Sequence, residues 1–163
     1  MRVVAVMIVI IAVLIEPAGA ESVKDVIKVF GLVGTWSPDC SKDPLKETGT
    51  RSTYEIPMFG SATLSTINRI ESGMTIRTKS EIQEAVRITE DKIKLINKSV
   101  EVTFSEGGPP DANNFKPLQI VIEKVGQKTH VIDSRRTDGS QTFIENGIFM
   151  KQYALPLSER CLN

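Results

Sequence analysis

The stretch Gly31-Leu32-Val33-Gly34-Thr35-Trp36-Ser37-Pro38-Asp39-Cys40 decides how the rest of this chain is organised. It holds the only tryptophan of the 163 residues and one of the two cysteines. The other cysteine, Cys161, is the third residue from the end. If Cys40 and Cys161 are joined, the first strand of the fold lies beside the last. Almost everything between them would then belong to one closed unit.

The first twenty residues have the pattern of an export signal. Arg2 supplies a positive charge, Val3 to Ile15 is an unbroken apolar run of thirteen, and Ala18-Gly19-Ala20 is a small-residue cleavage site. At about 1.5 Å per residue, such a run is too short to cross a hydrocarbon core of about 30 Å. We therefore expect residues 1–20 to be a cleaved signal peptide, and residues 21–163 to be a single domain without a membrane span, either periplasmic or secreted.

Charge and residue content exclude several classes of function. The chain has 20 basic and 20 acidic residues, so no strong field is present to attract nucleic acid. One histidine, His130, and two cysteines cannot build a typical metal site, and Gly107-Gly108 is followed by prolines rather than by the start of a phosphate-binding helix. We therefore expect no metal, no cofactor and no catalytic residues, and hence a protein that is not an enzyme.

The two cysteines predict one disulfide between Cys40 and Cys161, because thiols stay reduced mainly in the cytosol. For a loop of this length, the chain-entropy model gives a stabilisation of about 4–5 kcal/mol. Pro156 interrupts strand pairing shortly before the second cysteine. The sequence therefore predicts that the bridge ties a C-terminal tail across the end of the sheet, rather than joining two paired strand residues.

A short amphipathic helix is predicted at the start of the mature chain. Ser22 can cap its N-terminus, and Gly31 stands where a left-handed C-cap is wanted. Between them, apolar residues recur at the i, i+3, i+4 and i+7 positions of one helical face. These residues are Val23, Val26, Ile27 and Phe30.

From Arg51 onward the apolar period changes to two, which is typical of half-buried strands with one wet face. Tyr54 and Ile56 alternate with polar neighbours, and the same pattern places Val100, Val102 and Phe104 on one face. Turn signals such as Ser72-Gly73 and Asp138-Gly139 recur roughly every ten residues. This spacing favours an antiparallel meander, because parallel strands need crossovers of about a dozen residues or more.

Three segments do not fit this alternation. Ser80 to Thr89 would place Glu84 on an otherwise apolar strand face, and a helical turn fits the segment about as well. Leu118 to Val125 is apolar on both faces, which predicts a strand in the interior of the sheet or under the helix. Ser105 to Lys116 is rich in glycine and proline, so it is the best candidate for a mobile or binding loop.

Gly34-Thr35-Trp36, after a short helix and at the entry to the first strand, resembles the Gly-x-Trp start of lipocalins and related calycin barrels. In those proteins the tryptophan packs across the closed end of an eight-stranded barrel. The resemblance implies an all-β fold, namely an antiparallel meander closed into a small barrel of about eight strands with a short N-terminal helix. A β-sandwich is the alternative.

A longer pattern is similar to small uncharacterised exported proteins of alphaproteobacteria. It comprises the stretch from Gly34 to Cys40, Val131-Ile132-Asp133-Ser134, Asp138-Gly139 and Glu159-Arg160-Cys161. This similarity implies a periplasmic location, and it brings neither a known activity nor catalytic residues.

These observations lead to two functional hypotheses. The first is a non-catalytic, monomeric β-barrel that binds a small apolar ligand in its mouth, since such barrels are either filled by their own side chains or hold one small ligand. The candidate lining residues are Trp36, Tyr54, Ile56, Met74, Ile76, Glu84 and Phe104.

The second hypothesis is a protein-binding module that recognises another periplasmic protein, such as a periplasmic protease inhibitor. Some small inhibitors of secreted metalloproteases resemble this layout, and they use a flexible N-terminal arm to enter the active site of the target. Residues 22–30 of this chain predict a helix instead, which counts against this alternative.

Overall fold

A computed structural model describes residues 21–162 as one antiparallel sheet and one α-helix, so the expected signal peptide lies outside the described residues. The helix is α1 (Val23–Phe30). The strands are β1 (Gly34–Ser37), β2 (Gly49–Glu55), β3 (Thr63–Arg69), β4 (Thr75–Arg87), β5 (Lys92–Phe104), β6 (Leu118–Val125), β7 (Lys128–Arg136), β8 (Thr142–Glu145), β9 (Ile148–Phe149), β10 (Tyr153–Ala154) and β11 (Glu159–Cys161).

The sheet confirms the predicted all-β antiparallel meander, but not the closed barrel of eight strands. From β1 to β10 each strand pairs with its predecessor, β11 pairs with β1, and the eleven strands form a curled half-barrel that does not close. The last four strands have only two to four residues each, which is too few to continue the hydrogen-bond ladder into a closed barrel. A single bridge joins Thr129 to Ser158, each N–H donating to the other carbonyl at 2.8 Å. Because the described strands share one sheet, the sandwich alternative is wrong.

The predicted N-terminal helix is confirmed together with both of its caps. The Ser22 hydroxyl accepts a hydrogen bond from the Asp25 N–H at 3.2 Å. Gly31 has a φ of +81° and donates its N–H to the carbonyls of Ile27 and Lys28. A residue with a Cβ is strained in this conformation, which explains why the chain uses glycine there. The helix α1 lies against β4.

The hydrophobic core lies between α1 and the adjoining half of the concave face of the sheet. Trp36 belongs to this core, and its indole N–H donates to the Leu32 carbonyl at 2.7 Å. The largest side chains with almost no exposed surface are Phe30, Ile27, Leu32, Ile93, Leu95 and Ile122. This half of the concave face is therefore filled by the protein's own side chains.

The ambiguous segment from Ser80 to Thr89 is largely strand, because β4 continues through it to Arg87. A register shift between Ile82 and Glu84 interrupts the pairing with β5, as a β-bulge does. After the shift Ala85 lies opposite Leu95, and Glu84 lies opposite Ile96. The alternation in the sequence is broken at this point because the strand itself is bulged.

A second register shift corrects the prediction for Val100. Lys79 pairs with Glu101, but the next residue, Ser80, pairs with Ser99, so Val100 has no partner and its side chain is 49% exposed. Ser99 takes the inward position that the sequence assigned to Val100.

Leu118 to Val125 forms β6, which lies inside the sheet between β5 and β7, as predicted.

The disulfide between Cys40 and Cys161 is confirmed, with the two Cα atoms 5.4 Å apart. It holds β1 beside β11, where Thr35 pairs with Cys161. The prediction of an unpaired C-terminal tail is wrong, because Pro156 only delays pairing and β11 begins at Glu159. In the part of the chain that the structure describes, no helix is long and apolar enough to span a membrane.

Candidate functional site

The concave face changes from apolar to polar with distance from α1 along β2 to β5. Tyr54, Leu64 and Leu95 belong to the core, so their side chains point to the concave face and serve as reference positions. Because side chains alternate between the two faces, the register then identifies the other inward positions. We call the following eight residues the polar strip: Thr50, Ser52, Thr66, Asn68, Thr78, Ser80, Asn97 and Ser99.

The residues of the polar strip are neighbours on adjacent strands. Ser52 pairs with Thr66, and Thr66 pairs with Thr78 on its other side. Six of the eight residues are partly exposed, and Ser80 and Asn97 are buried. The strip is therefore accessible over most of its length, in contrast to the filled half under α1.

Hydrogen bonds within the polar strip use only part of its capacity. The Thr50 hydroxyl donates to the Asn68 side-chain oxygen at 3.0 Å. The hydroxyls of Ser80 and Ser99 are 3.3 Å apart, and those of Ser52 and Thr66 are 3.5 Å apart. Since each hydroxyl has one donor and two acceptor lone pairs, these contacts leave sites for further partners.

Asn97 has a buried polar atom without a partner. Its side chain is 5% exposed, and its Oδ1 makes no hydrogen bond within the described residues. It lies opposite Ile82 on one side and Leu118 on the other. An unsatisfied buried acceptor costs about 1–3 kcal/mol, so a donor that reaches Oδ1 would stabilise this residue.

The polar strip borders an apolar patch at the far end of β4 and β5. We call this patch, formed by Ile76, Val102 and Phe104, the apolar flank. Ile76 pairs with Phe104 on one side and with Asn68 of the polar strip on the other, while Val102 pairs with Thr78. Ile76 and Phe104 are half-buried, so a ligand on the polar strip can also contact apolar surface.

The predicted lining residues fall into several different environments. Ile76 and Phe104 lie together on the concave face, whereas Trp36 and Tyr54 are buried in the core under α1. Burial raises the pKa of the Tyr54 phenol, because desolvation disfavours the charged form. Ile56 is half-buried against the same core.

The other two predicted residues lie away from this site. Met74 is in the turn before β4, where its carbonyl accepts the Ile70 N–H at 3.1 Å. Glu84 is on the convex face, where its carboxylate pairs with the Lys94 ammonium at 2.8 Å. The bulge in β4 accounts for this outward position.

Two grooves lie at the start of β1, and the smaller one also borders α1. Their volumes are about 550 and 370 Å³, and Val33, Ile56 and Arg160 line both. The Arg160 guanidinium donates to the Val33 carbonyl at 2.7 Å. A Cβ added at Gly34 would lie 3.0 Å from its Nε. Arg160 therefore supports the backbone at the start of β1, and its guanidinium is already engaged there.

The sequence analysis missed the polar strip, although a signal for it existed. Continuing the alternation backwards from Tyr54 places Ser52 and Thr50 on the same face, and continuing it from Ile76 does the same for Thr78 and Ser80. These positions went unnoticed because polar residues in a strand usually face water. Ser99 gave no such signal, since its position depends on the bulge.

The chemistry of the polar strip suits binding. A serine or threonine hydroxyl becomes a nucleophile when a base is within reach, and the eight members include no histidine and no carboxylate. Within residues 21–162, no group of three or more His, Cys, Asp or Glu side chains is placed to hold a metal ion. The strip can offer hydrogen bonds of both directions to a neutral ligand.

No protein-family model, curated protein or solved structure matches this chain.

Proposed function

We propose that this chain is a non-catalytic binding protein of the periplasm or the extracellular space, which takes one small ligand on the half of its concave face that lies beyond α1. The observation that carries the proposal is the contrast between the two halves. Under α1 the inward side chains are buried and fill the space, whereas most inward residues of the polar strip and the apolar flank keep part of their surface exposed, with Ser80, Asn97 and Val102 as buried exceptions.

The proposed location is supported by the disulfide between Cys40 and Cys161. Disulfides persist in oxidising compartments and are rare in the cytosol. The apolar run of residues 3–15 supports export independently of the disulfide.

Part of the ligand is expected to be apolar, because Ile76 and Phe104 of the apolar flank keep exposed hydrophobic surface, whereas Val102 is buried. Full burial of a large apolar side chain contributes about 1.5–3 kcal/mol, and covering Phe104 contributes part of this, because Phe104 is already half-buried. The interior under α1 offers no comparable surface, since Ile27 and Leu95 already occupy it.

The packing of α1 favours a ligand-binding protein over a protease inhibitor with a flexible arm. Val26, Ile27 and Phe30 are buried in the core, so residues 23–30 can enter a protease active site only if the core opens. An inhibitory function would need another segment of the chain.

The proposal is tested by titrating residues 21–163 with the neutral fluorescent probe N-phenyl-1-naphthylamine. We expect saturable binding with energy transfer from Trp36, which is the only tryptophan. Phe104→Ala should weaken binding several-fold, because covering the exposed part of the ring contributes less than the about 1.4 kcal/mol that corresponds to a factor of ten. Ile76→Ala serves as a second variant of the same surface if Phe104→Ala does not fold.

Phe59→Ala is the matched control, because Phe59 is 84% exposed in the loop between β2 and β3, outside the proposed site. This variant should bind the probe as the native protein does. Binding that never saturates, or an equal loss of affinity in Phe59→Ala and Phe104→Ala, would contradict the proposed function.

A further inference from the structure

We infer that the ligand is an amphiphile with a neutral, hydroxyl-bearing head, such as an alkyl glycoside, whose head lies on the polar strip and whose apolar part lies on the apolar flank. This inference rests on the proposed function, and it names the chemical class of the ligand. Three observations support it. The strip consists only of neutral polar residues, the charged side chains of the same strands lie on the opposite face, and the buried Oδ1 of Asn97 has no hydrogen-bond partner among the described residues.

The polar strip contains only uncharged residues. All eight members are serine, threonine or asparagine, which are neutral and offer both donors and acceptors. The hydroxyls of a sugar also donate and accept. The two sets of groups can therefore pair without leaving a buried charge on either side.

The charged side chains of the same strands point to the convex face, away from the polar strip. Arg51, Arg77, Lys79 and Glu101 alternate with members of the strip or the flank and so lie on the convex face. A carboxylate or phosphate head placed on the strip would lose water without gaining a counterion, which disfavours an anionic ligand.

Arg136 of β7 is the cation to consider on the neighbouring part of the concave face, since it pairs with Leu118 in register. Its guanidinium donates to the Lys116 carbonyl at 2.8 Å and lies 5.3 Å from the centre of the Phe143 ring. These contacts hold the guanidinium at the end of β7, against Lys116 and Phe143.

The hydrogen bonding of Asn97 supports the same inference independently of the strip's composition. Its buried Oδ1 lacks a donor within the described residues, and native proteins rarely leave such an atom unsatisfied unless a water, an ion or a ligand completes it. Because this atom is buried, a ligand hydroxyl supplies the missing donor only after the Asn97 side chain turns towards the strip.

The arrangement of the two surfaces fits an amphiphile rather than a free sugar. Asn68 and Thr78 of the polar strip pair with Ile76 and Val102 of the apolar flank. A polar head and an alkyl chain joined by one bond can therefore contact both surfaces at once.

The test uses two probes with alkyl chains of similar length, octyl β-D-glucoside below its micelle concentration and octanoate. Each is titrated against N-phenyl-1-naphthylamine bound to residues 21–163. We expect octyl glucoside to displace the probe at a concentration at least tenfold lower than octanoate. Glucose alone should displace it poorly.

Valine variants identify the surface that holds the head, because valine keeps the shape of threonine and removes the hydroxyl. Thr66→Val and Thr78→Val should each weaken octyl glucoside several-fold while the affinity for N-phenyl-1-naphthylamine is maintained, which also reports that the variants are folded. Thr103→Val changes a convex position opposite Arg77 and should alter neither affinity.

The outcomes separate the inference from the proposed function. Stronger displacement by octanoate, or an equal effect of Thr103→Val and Thr78→Val, overturns the inference and leaves the proposed function standing. Absence of saturable binding of N-phenyl-1-naphthylamine by the native protein overturns both.

Discussion

Tyr54 illustrates how a single residue fixes the boundary between the two halves of the concave face. Its ring is buried in the core under α1. Ser52 lies two residues earlier on the same face of β2, belongs to the polar strip and is partly exposed. One step of the strand alternation therefore separates a filled core from an accessible surface.

The burial of Tyr54 predicts a loss of stability at alkaline pH. Its folded pKa is raised, so the phenol stays neutral in the folded state while the unfolded chain ionises above about pH 10. The stabilisation is complete below that pH. It is lost as pH rises towards the folded pKa, with a slope of at most about 1.4 kcal/mol per pH unit.

This prediction is checked by urea unfolding of the native protein and Tyr54→Phe at about pH 9 and about pH 11. The native protein should lose more unfolding free energy between the two conditions than the variant does. Equal losses would show that the phenol is not shielded from solvent in the fold.

At the scale of the element, α1 joins the first residues that the structure describes to the core. Ile27 is fully buried, whereas Val29, on the opposite side of the helix, is 59% exposed. Ile27→Ala should therefore lower the free energy of unfolding by about 2–5 kcal/mol. Val29→Ala should change it by no more than about 0.5 kcal/mol.

Urea denaturation of both variants measures this difference. If Ile27→Ala were as mild as Val29→Ala, α1 would contribute little to the core. Residues 23–30 could then act as a free arm, and the inhibitor hypothesis would regain weight.

The elements that could be predicted from the sequence are those whose signals are local. The caps of α1, Ser22 and Gly31, lie in the helix sequence itself, and the alternation around Tyr54 lies within one strand. The course of β4 past Glu84 depends on a bulge opposite β5, and the inward position of Ser99 depends on another. Such bulges are set by the pairing partner, so a reading of one strand alone does not reveal them.

At the scale of the whole molecule, the cysteine count was sufficient to predict the pairing of Cys40 with Cys161. The number of strands was not predictable in the same way, because β9, β10 and β11 have two or three residues and show no alternation. For the same reason the position of Cys161 within a strand could not be predicted from local alternation, although joining the two cysteines does place the first strand beside the last.

Amide chemical-shift mapping locates the bound ligand on the sheet. In ¹⁵N-labelled residues 21–163 titrated with octyl β-D-glucoside below its micelle concentration, a ligand site on the concave face beyond α1 gives saturable shifts centred on Ser52, Thr66, Thr78 and Asn97. Shifts centred instead on the grooves around Val33 and Arg160 would place the ligand outside this face, and the absence of saturable shifts would exclude the site.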